Sequence, residues 1–451
     1  MKQIRQIDRT LTKDLIRYVS LNVLGMVGLS CYILADTFFV SRRLGADGLA
    51  ALNLALPLYN FLNGTGLMIG MGGGTKFAIE KSQHKDEACD VTFTHAVWLA
   101  MVAAIFFCLL GLFFAGSIVH LMGTEGRVYE MSQTYLRVIL LFAPAFLFNQ
   151  VFICFVRNDG NPQLAMAAML CGSLFNVVFD WVFMFPLDMG IFGAVLATGV
   201  SPVVSIAILF CHLKKRDRGF HLKKIRWSVN PIRTILASGV PSLVTEVASG
   251  VVMIVFNGLL LALAGNTAVA AYGVIANLSQ VVLAVDTGIA QGCQPLFSRC
   301  FGQGQAGKMV FLRRAGLLTA VVFSMAVYAV FFFGTEPVVA LFNSTADPQL
   351  QQIAEMGMKI YFLGMPFAGF SIVLAMFFTS TERPRPAQWL CLLRGMILIV
   401  PMALLLSSAF GQRGVFAAFP ATEILTAILG ASILSLEGKR KQGRERQKAD
   451  R

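Results

Sequence analysis

Charge is the scarcest property of this sequence. Only 14% of the 451 residues are Asp, Glu, Lys or Arg, whereas 56% are hydrophobic. Soluble proteins carry roughly 25% charged residues, so the composition excludes an ordinary soluble enzyme. The sequence also lacks a CxxC pair and an HExxH motif, and its nine cysteines are odd in number. Neither a disulfide framework nor a metal site is therefore expected.

Long apolar runs fill most of the chain. A membrane-crossing helix needs about 20 apolar residues, and the runs are too long for barrel strands of about 10 residues. Twelve runs are predicted to span a membrane: 15–40, 49–79, 91–116, 131–156, 162–186, 191–213, 232–262, 267–298, 310–334, 352–379, 386–409 and 414–436. The chain is thus predicted to be an all-α polytopic membrane protein. Its charged first 14 residues do not fit a secretory signal, so the first span is expected to be retained.

Basic residues are distributed unequally between the two sides of these spans. Of 37 Lys and Arg residues, 31 fall on the side that holds both termini. The other six are Arg42, Arg43, Arg127, Arg137, Lys359 and Arg413. The positive-inside rule then predicts a multi-pass membrane protein with cytoplasmic termini. The net charge of +13 is attributed to topology and lipid headgroups, and no nucleic-acid partner is expected.

The two halves of the sequence repeat each other. A shift of 220 residues aligns Gly45 with Gly265 and Gly72 with Gly292, and a shift of 222 aligns Pro162 with Pro384. The predicted units are an N-terminal six-helix lobe (1–213), a cytoplasmic linker loop (214–231), a C-terminal six-helix lobe (232–438) and a basic cytoplasmic tail (439–451). Six spans per half make the repeats parallel and related by a pseudo-twofold axis, which is typical of transporters.

Five carboxylates interrupt the apolar spans. They are Asp36, Asp180, Glu246, Asp286 and Glu423. An Asp at the middle of a membrane costs about 2.5–3.5 kcal/mol on insertion scales, so each is a candidate functional residue. A count of about 1.5 Å per residue from the outer ends of the spans places four first-lobe positions at one level. These positions are Asp36, Asn53, Asp180 and Thr198.

The first-lobe group is the candidate coupling site. Asn176 lies four residues before Asp180, so both side chains share one face of the fifth helix. Buried carboxylates with neighbouring amides and hydroxyls suit either a proton or Na⁺, and the residues alone do not decide between the two. No other cofactor is expected.

The second-lobe carboxylates allow two interpretations. Glu246, Asp286 and Glu423 are candidates for binding substrate or a cation, but Asp286 and Glu423 could equally pair with Arg299 or Arg394. Further polar candidates for a cavity are Asn53, Asn149, Gln150, Asn257 and Gln280. The glycine-rich stretch MIGMGGGT at 68–75 lies in a span without a preceding strand, so it predicts close helix packing rather than phosphate binding.

Several segments together resemble the multidrug and toxic compound extrusion (MATE) transporters. They are DTFFVSRRLGADGLAALNLALP at 36–57, RNDGNP at 157–162, FNVVFDWVFMFPLDMGIFGAVLAT at 175–198, GVPSLVTEVASG at 239–250 and GIAQGCQPLFS at 288–298. The resemblance implies the MATE fold, with twelve transmembrane helices in two six-helix lobes. It also implies an antiporter, not an enzyme, that exports amphipathic, often cationic compounds in exchange for H⁺ or Na⁺. The expected partners are such small compounds and the lipid bilayer, and the chain is expected to function as a monomer.

The resemblance also assigns roles to single residues. By motif, the first-lobe cation or proton cluster is Asp36, Asn176, Asp180 and Thr198. Glu246 matches an acidic position of the norfloxacin-extrusion branch, but the span 352–379 lacks the Asp of that branch, which implies coupling through the first lobe. Two alternatives remain. A flippase for lipid-linked saccharides predicts a cationic cavity, and a membrane-embedded enzyme predicts a nucleophile–base or metal constellation.

Overall fold

A computed structural model of the chain describes residues 2–122, 125–215, 217–224, 228–342 and 347–449. These residues form helices joined by short turns, with no strand among them. Two long helical segments each contain a break at a glycine with left-handed φ. Lys2–Ser82 breaks at Gly45 (φ 64°, ψ −147°) into α1 (2–44) and α2 (46–82). Val229–Gly302 breaks at Gly265 (φ 69°, ψ −163°) into α7 (229–264) and α8 (266–302).

Eight further helices complete the two lobes. In the first lobe they are α3 (Asp86–Phe113), α4 (Gly126–Leu141 and Ala143–Asn158, bent by 48°), α5 (Pro162–Met184) and α6 (Gly190–Leu213). In the second they are α9 (Ala306–Phe333), α10 (Pro348–Tyr361, a 3₁₀ turn Phe362–Gly364, and Met365–Ser380), α11 (Pro384–Leu392, a π turn Leu393–Ile397, and Ile399–Phe410) and α12 (Gln412–Ala449). Short helices Ala115–Leu121 and Thr335–Phe342 follow α3 and α9.

The predicted twelve-helix, two-lobe membrane fold is confirmed. Within the described residues, nine helices and the bent α4 are long and apolar enough to span a membrane. One of the nine is the segment Val229–Gly302, which comprises both α7 and α8. Together with α2, the helices number twelve. The termini lie at the same end of the bundle because the number of spans is even. The predicted tail 439–451 continues α12 through Ala449, whereas residues 450 and 451 lie outside the described residues.

The internal repeat is visible in the turns as well as in the helices. Left-handed φ angles recur at equivalent positions of the two lobes: Gly45 and Gly265, His84 and Gly304, Gly160 and Glu382, and Gly190 and Gly411. These pairs are separated by 220 to 222 residues, which matches the register predicted from sequence. Each lobe therefore turns its chain at the same places, as expected for a duplicated six-helix unit.

Close helix packing explains the glycine-rich stretch of α2. A Cβ on Gly70 would lie 2.7 Å from the carbonyl oxygen of Gln150 in α4. One on Gly72 would lie 1.9 Å from the carbonyl oxygen of Ile235 in α7. The equivalent Gly292 of α8 approaches α1, where a Cβ would lie 2.6 Å from Cα of Val19. The repeat thus provides two related close crossings between the lobes, both in the halves of the helices nearest the termini.

The segment between the lobes is anchored to the first lobe. Phe220 is fully buried in a cluster with Phe77, Phe93 and Phe155. Lys223 forms a salt bridge of 2.6 Å with Asp90 at the start of α3. The predicted linker 214–231 is therefore packed in its described part, 214–215 and 217–224, and α7 already begins at Val229. Residues 216 and 225–227 lie outside the described residues.

The α2–α7 crossing gives a direct test of this packing. A Cβ on Gly239 would lie 1.8 Å from the carbonyl oxygen of Met68, and backbone atoms cannot yield as a side chain can. Gly239→Val is expected to lower the free energy of unfolding by about 1–3 kcal/mol, measured as thermal unfolding in detergent. Gly258→Val on the same helix is the control, because no atom lies within 4 Å of its added Cβ. Equal unfolding temperatures for the two variants would contradict the crossing.

Candidate functional site

Two buried carboxyl groups form the centre of the first-lobe site. Asp36 of α1 and Asp180 of α5 lie within hydrogen-bond reach of each other. Asp180 is fully buried and Asp36 is 6% exposed. No basic side chain among the described residues forms a salt bridge with either of them. The site therefore holds two acidic groups that share one small apolar volume.

An amide and a hydroxyl complete this group. The hydrogen-bond pattern orients the Asn176 amide so that its nitrogen donates to Oδ2 of Asp180 over 3.1 Å. In this orientation the Asn176 oxygen accepts from the hydroxyl and the backbone N–H of Thr198, each over 3.2 Å. The structure thus brings together all four residues that the sequence predicts for the coupling cluster. Their role in coupling stays a prediction.

Three tyrosines that sequence reasoning missed surround the carboxyl pair. The hydroxyl groups of Tyr32 and Tyr59 are 3.1 Å apart, and Tyr135 is hydrogen-bonded to Thr198. All three lie in the electrostatic field of Asp36. A tyrosine within an apolar span carries no charge to distinguish it from a packing residue. The sequence signal that could have singled them out is the rarity of tyrosine, since the whole chain has only eight.

Glu246 lies at the contact between the lobes rather than in a second-lobe cluster. Its carboxyl group is hydrogen-bonded to Asn63 of α2. Asn63 in turn accepts a hydrogen bond of 2.7 Å from Nε2 of Gln150 in α4. A second-lobe carboxylate is therefore held by one first-lobe amide, which a second first-lobe amide positions, so this group is sensitive to movement of one lobe against the other.

The other two second-lobe carboxylates have partners within their own lobe. Oε1 of Glu423 accepts from Nε and Nη2 of Arg394 over 3.0 and 2.8 Å. Both oxygens of Asp286 lie within 3.1 Å of the Ser324 hydroxyl. The ion pair between Glu423 and Arg394 is one of the two interpretations left open by the sequence. Arg394 was counted among the 31 basic residues on the side of the termini. It lies inside a span, so this assignment was wrong.

The remaining polar candidates are scattered. Asn53 is exposed and lies outside the hydrogen-bonded group of Asp36. Asn149 and Asn257 are partly buried, and Gln150 belongs to the contact with Glu246. Gln280 is exposed and lines a cavity of the second lobe. Equal depth along a helix thus did not place Asn53 on the same face as the carboxyl pair.

That second-lobe cavity has a volume of about 140 Å³. It lies among α7, α8, α10, α11 and α12. Aromatic side chains form part of its wall, and the rings of Tyr361 and Phe419 stack with centroids 4.2 Å apart. The charged residues among its lining are Arg394 and Glu423, which form the ion pair described above.

A buried arginine joins the lobes near the terminal end of the bundle. Arg157 of α4 is fully buried, and its Nη1 donates to Oδ1 of Asn22 over 2.7 Å and to Oε1 of Gln291 over 2.9 Å. Next to it, Asn158 donates to Gln294 over 3.0 Å. Gln291 and Gln294 belong to α8 of the second lobe. The arginine thus depends on acceptors from both lobes, which requires that the lobes meet at this end.

The next residue of the same RNDGNP motif ties together first-lobe helix ends. Asp159 accepts from Lys81 over 2.5 Å and from the backbone N–H of Gly219 over 3.1 Å, and lies 2.6 Å from Nε2 of His212. Burial alone would raise the pKa of Asp159, but the hydrogen bonds from His212 and Lys81 hold it below the ordinary value. Arg157 and Asn158 of the motif thus contact the other lobe, whereas Asp159 connects helix ends of the first lobe.

Two parallel six-helix lobes that meet at polar contacts are typical of membrane transporters. Comparison with known proteins identifies the family. The family model MatE matches residues 23–182 and 241–405, and the chain belongs to this family of multidrug efflux transporters.

Individual relatives agree with this assignment. The multidrug export protein MepA of Staphylococcus saprophyticus is 24% identical over 407 residues, covering 90% of this chain and 89% of that protein. The MepA protein of Staphylococcus aureus strain MRSA252 is also 24% identical, over 408 residues and the same shares of both chains.

Solved structures share the fold. The outward-facing conformation of a multidrug resistance MATE family transporter superposes with a TM-score of 0.89 at 23% identity, over 95% of this chain and 97% of that one. A transporter of the MOP superfamily from Pyrococcus furiosus, described as having a binding pocket of reverse polarity, gives a TM-score of 0.87 at 23% identity, covering 93% and 94%.

The Arg157 contact predicts a shift in lobe arrangement. Arg157→Leu removes the donors that Asn22 and Gln291 share, so separation of the lobes at this end is expected to become easier. Spin labels at Lys85 and Ala306, in a variant without the exposed cysteines, are expected to show a larger population of long distances. Arg43→Leu, at an exposed arginine of the other end, is the control. An unchanged distance distribution in the Arg157 variant would contradict the role of this contact.

Proposed function

We propose that this protein is an antiporter that exports amphipathic, cationic compounds in exchange for a coupling ion held by Asp36 and Asp180. The observation that carries the proposal is the contact between these two buried carboxyl groups without a basic partner among the described residues. Two such groups in a low-dielectric site cannot both be ionised at small cost. A bound cation lowers this cost, so occupancy of the site is coupled to its charge.

We further propose that the coupling ion is a proton rather than Na⁺. A proton shared between two carboxyl groups fits a direct contact, whereas Na⁺ takes several oxygen ligands around itself. Asn176 already donates to Asp180 and accepts from Thr198, so its amide oxygen is engaged within the protein rather than free for a metal ion. The same carboxyl pair would attract a cationic substrate, so substrate and proton would compete in part.

In the transport cycle that we propose, the space between the lobes opens alternately to the two sides of the membrane. With cytoplasmic termini, as the distribution of Lys and Arg predicts, the contact of Arg157 with Gln291 closes the cytoplasmic side. Protonation of the first lobe from outside would then favour release of the substrate outward and resetting of the lobes. The chain would do this as a monomer in the plasma (inner) membrane, since each lobe is complete within one chain.

The alternative functions have less support from the described residues. A flippase for lipid-linked saccharides would need several cations for phosphate groups, but the second-lobe cavity presents one arginine that is paired with Glu423. A metal-dependent membrane enzyme would need a metal cluster, and no group of three His, Cys, Asp or Glu residues that could hold a metal ion occurs among the described residues.

Transport in proteoliposomes tests the proposal. Export of a cationic dye is expected to follow an imposed pH gradient and not an imposed Na⁺ gradient. Asp36→Asn and Asp180→Asn are each expected to abolish gradient-driven export, because an amide cannot release the coupling proton. Dye flux under both gradients is the measurement.

Asp188→Asn is the matched control for these variants. Asp188 lies in the same lobe but is exposed and pairs with Arg43, so its loss should leave export unchanged. Undiminished pH-driven export by the Asp36 and Asp180 variants would refute the proposed site. Export driven by Na⁺ alone would refute the choice of ion while leaving the site intact.

A further inference from the structure

The second-lobe cavity has features of a ligand site that the coupling mechanism does not use. It contains a guanidinium group of which only part is engaged by the protein. Within the described part of the chain, the hydrogen bonds of Arg394 use Nε and Nη2, both directed to one oxygen of Glu423. The Arg394 side chain is 11% exposed and lines the cavity, whereas that of Glu423 is 3% exposed. Nη1 of Arg394 is therefore the guanidinium nitrogen that no hydrogen bond among the described residues uses.

The size and walls of the cavity restrict what can occupy it. Its volume of about 140 Å³ is close to that of an apolar cavity that holds one benzene molecule, on the order of 150 Å³. Tyr272, Tyr361 and Phe419 supply aromatic surface on which a flat ring can stack. The part of an occupant that this volume encloses is about one six-membered ring.

The charged residues that line the cavity indicate which polar group its occupant carries. A guanidinium N–H donates and cannot accept, so it pairs with oxygen acceptors and repels an ammonium group. The negative charge of Glu423 is directed to Arg394, and its Oε2 is buried without a partner among the described residues. Asp286 is fully buried against Ser324 and does not line the cavity.

We propose that this cavity is a substrate subsite for an aromatic ring that bears a carbonyl or carboxylate oxygen, with Nη1 of Arg394 as the donor. The subsite lies in the opposite lobe from Asp36 and Asp180 and, unlike that pair, contains a guanidinium donor. A compound with an amine at one end and an aryl carbonyl at the other would thus find complementary groups in the two lobes. Binding at this subsite does not depend on ion coupling.

Equilibrium binding of single-ring probes to the purified protein in nanodiscs tests this proposal. Saturation-transfer NMR is expected to show binding of benzoate and benzamide. Benzylamine is expected to displace benzoate less well than benzamide does, by about tenfold or more, as loss of a hydrogen bond to a charged group implies. The double variant Arg394→Met/Glu423→Met is expected to lose the preference for benzoate over benzylamine. Removing both ions together avoids an unpaired buried charge, so this variant is expected to fold.

A second variant separates the cavity from the ion pair. Ser249 is exposed and lines the cavity, so Ser249→Trp is expected to block benzoate and benzamide with the Arg394–Glu423 pair intact. Ser408→Trp, at an exposed second-lobe position outside the cavity lining, should leave their binding unchanged. Displacement of benzoate by benzylamine as effective as that by benzamide, or benzoate binding that survives Ser249→Trp, would overturn the proposal. Asp36→Asn should leave benzoate binding unchanged, because the carboxyl pair attracts cations, so failure of the coupling proposal would not imply failure of this one.

Discussion

The cost of placing ionisable groups in a low-dielectric interior governs this structure. A buried ion that loses its partner costs about 3–5 kcal/mol, so each charged group within the spans must have an arrangement that compensates it. The second lobe compensates Glu423 with Arg394. The first lobe instead brings Asp36 and Asp180 together and leaves them without a basic partner among the described residues. The arrangement of Asp36 and Asp180 lacks such an internal counter-ion, which is the property that the proposed coupling site needs.

The two lobes repeat their backbone but not their charges. At the shifts that relate the turns, Asp36 corresponds to Phe256 and Asp180 to Met402. In the reverse direction, Arg394 corresponds to Gly172. The glycine breaks and the close interlobe crossings, by contrast, are present in both lobes. Symmetry is thus kept at the turns and at the close interlobe crossings, and it is lost at the charged positions within the spans.

The fold was predictable from sequence because its signals are local or periodic. Span length and the glycine-rich stretch follow from nearby residues, and the repeat follows from aligning the two halves of the sequence. All three agree with the structure. The grouping of Asp36 with Asn176, Asp180 and Thr198 was predictable because depth along a helix follows from residue counting. The face of a helix in the bundle does not follow from counting, which is why Asn53 proved exposed. Arg394 was misassigned for a related reason: proximity in sequence to a loop does not reveal a buried ion pair with a distant helix.

A site confined to one lobe can drive a transport cycle only if its charge is sensed at the contact between the lobes. Tyr59 provides such a connection between the carboxyl pair and the interface. Its hydroxyl contacts that of Tyr32, and it lies in the electrostatic fields of both Asp36 and Glu246. Glu246 is held by the first-lobe residue Asn63 across the interface. A change of charge at the carboxyl pair therefore acts on a polar contact that exists only while the lobes are together, and it changes the free energy of separating them.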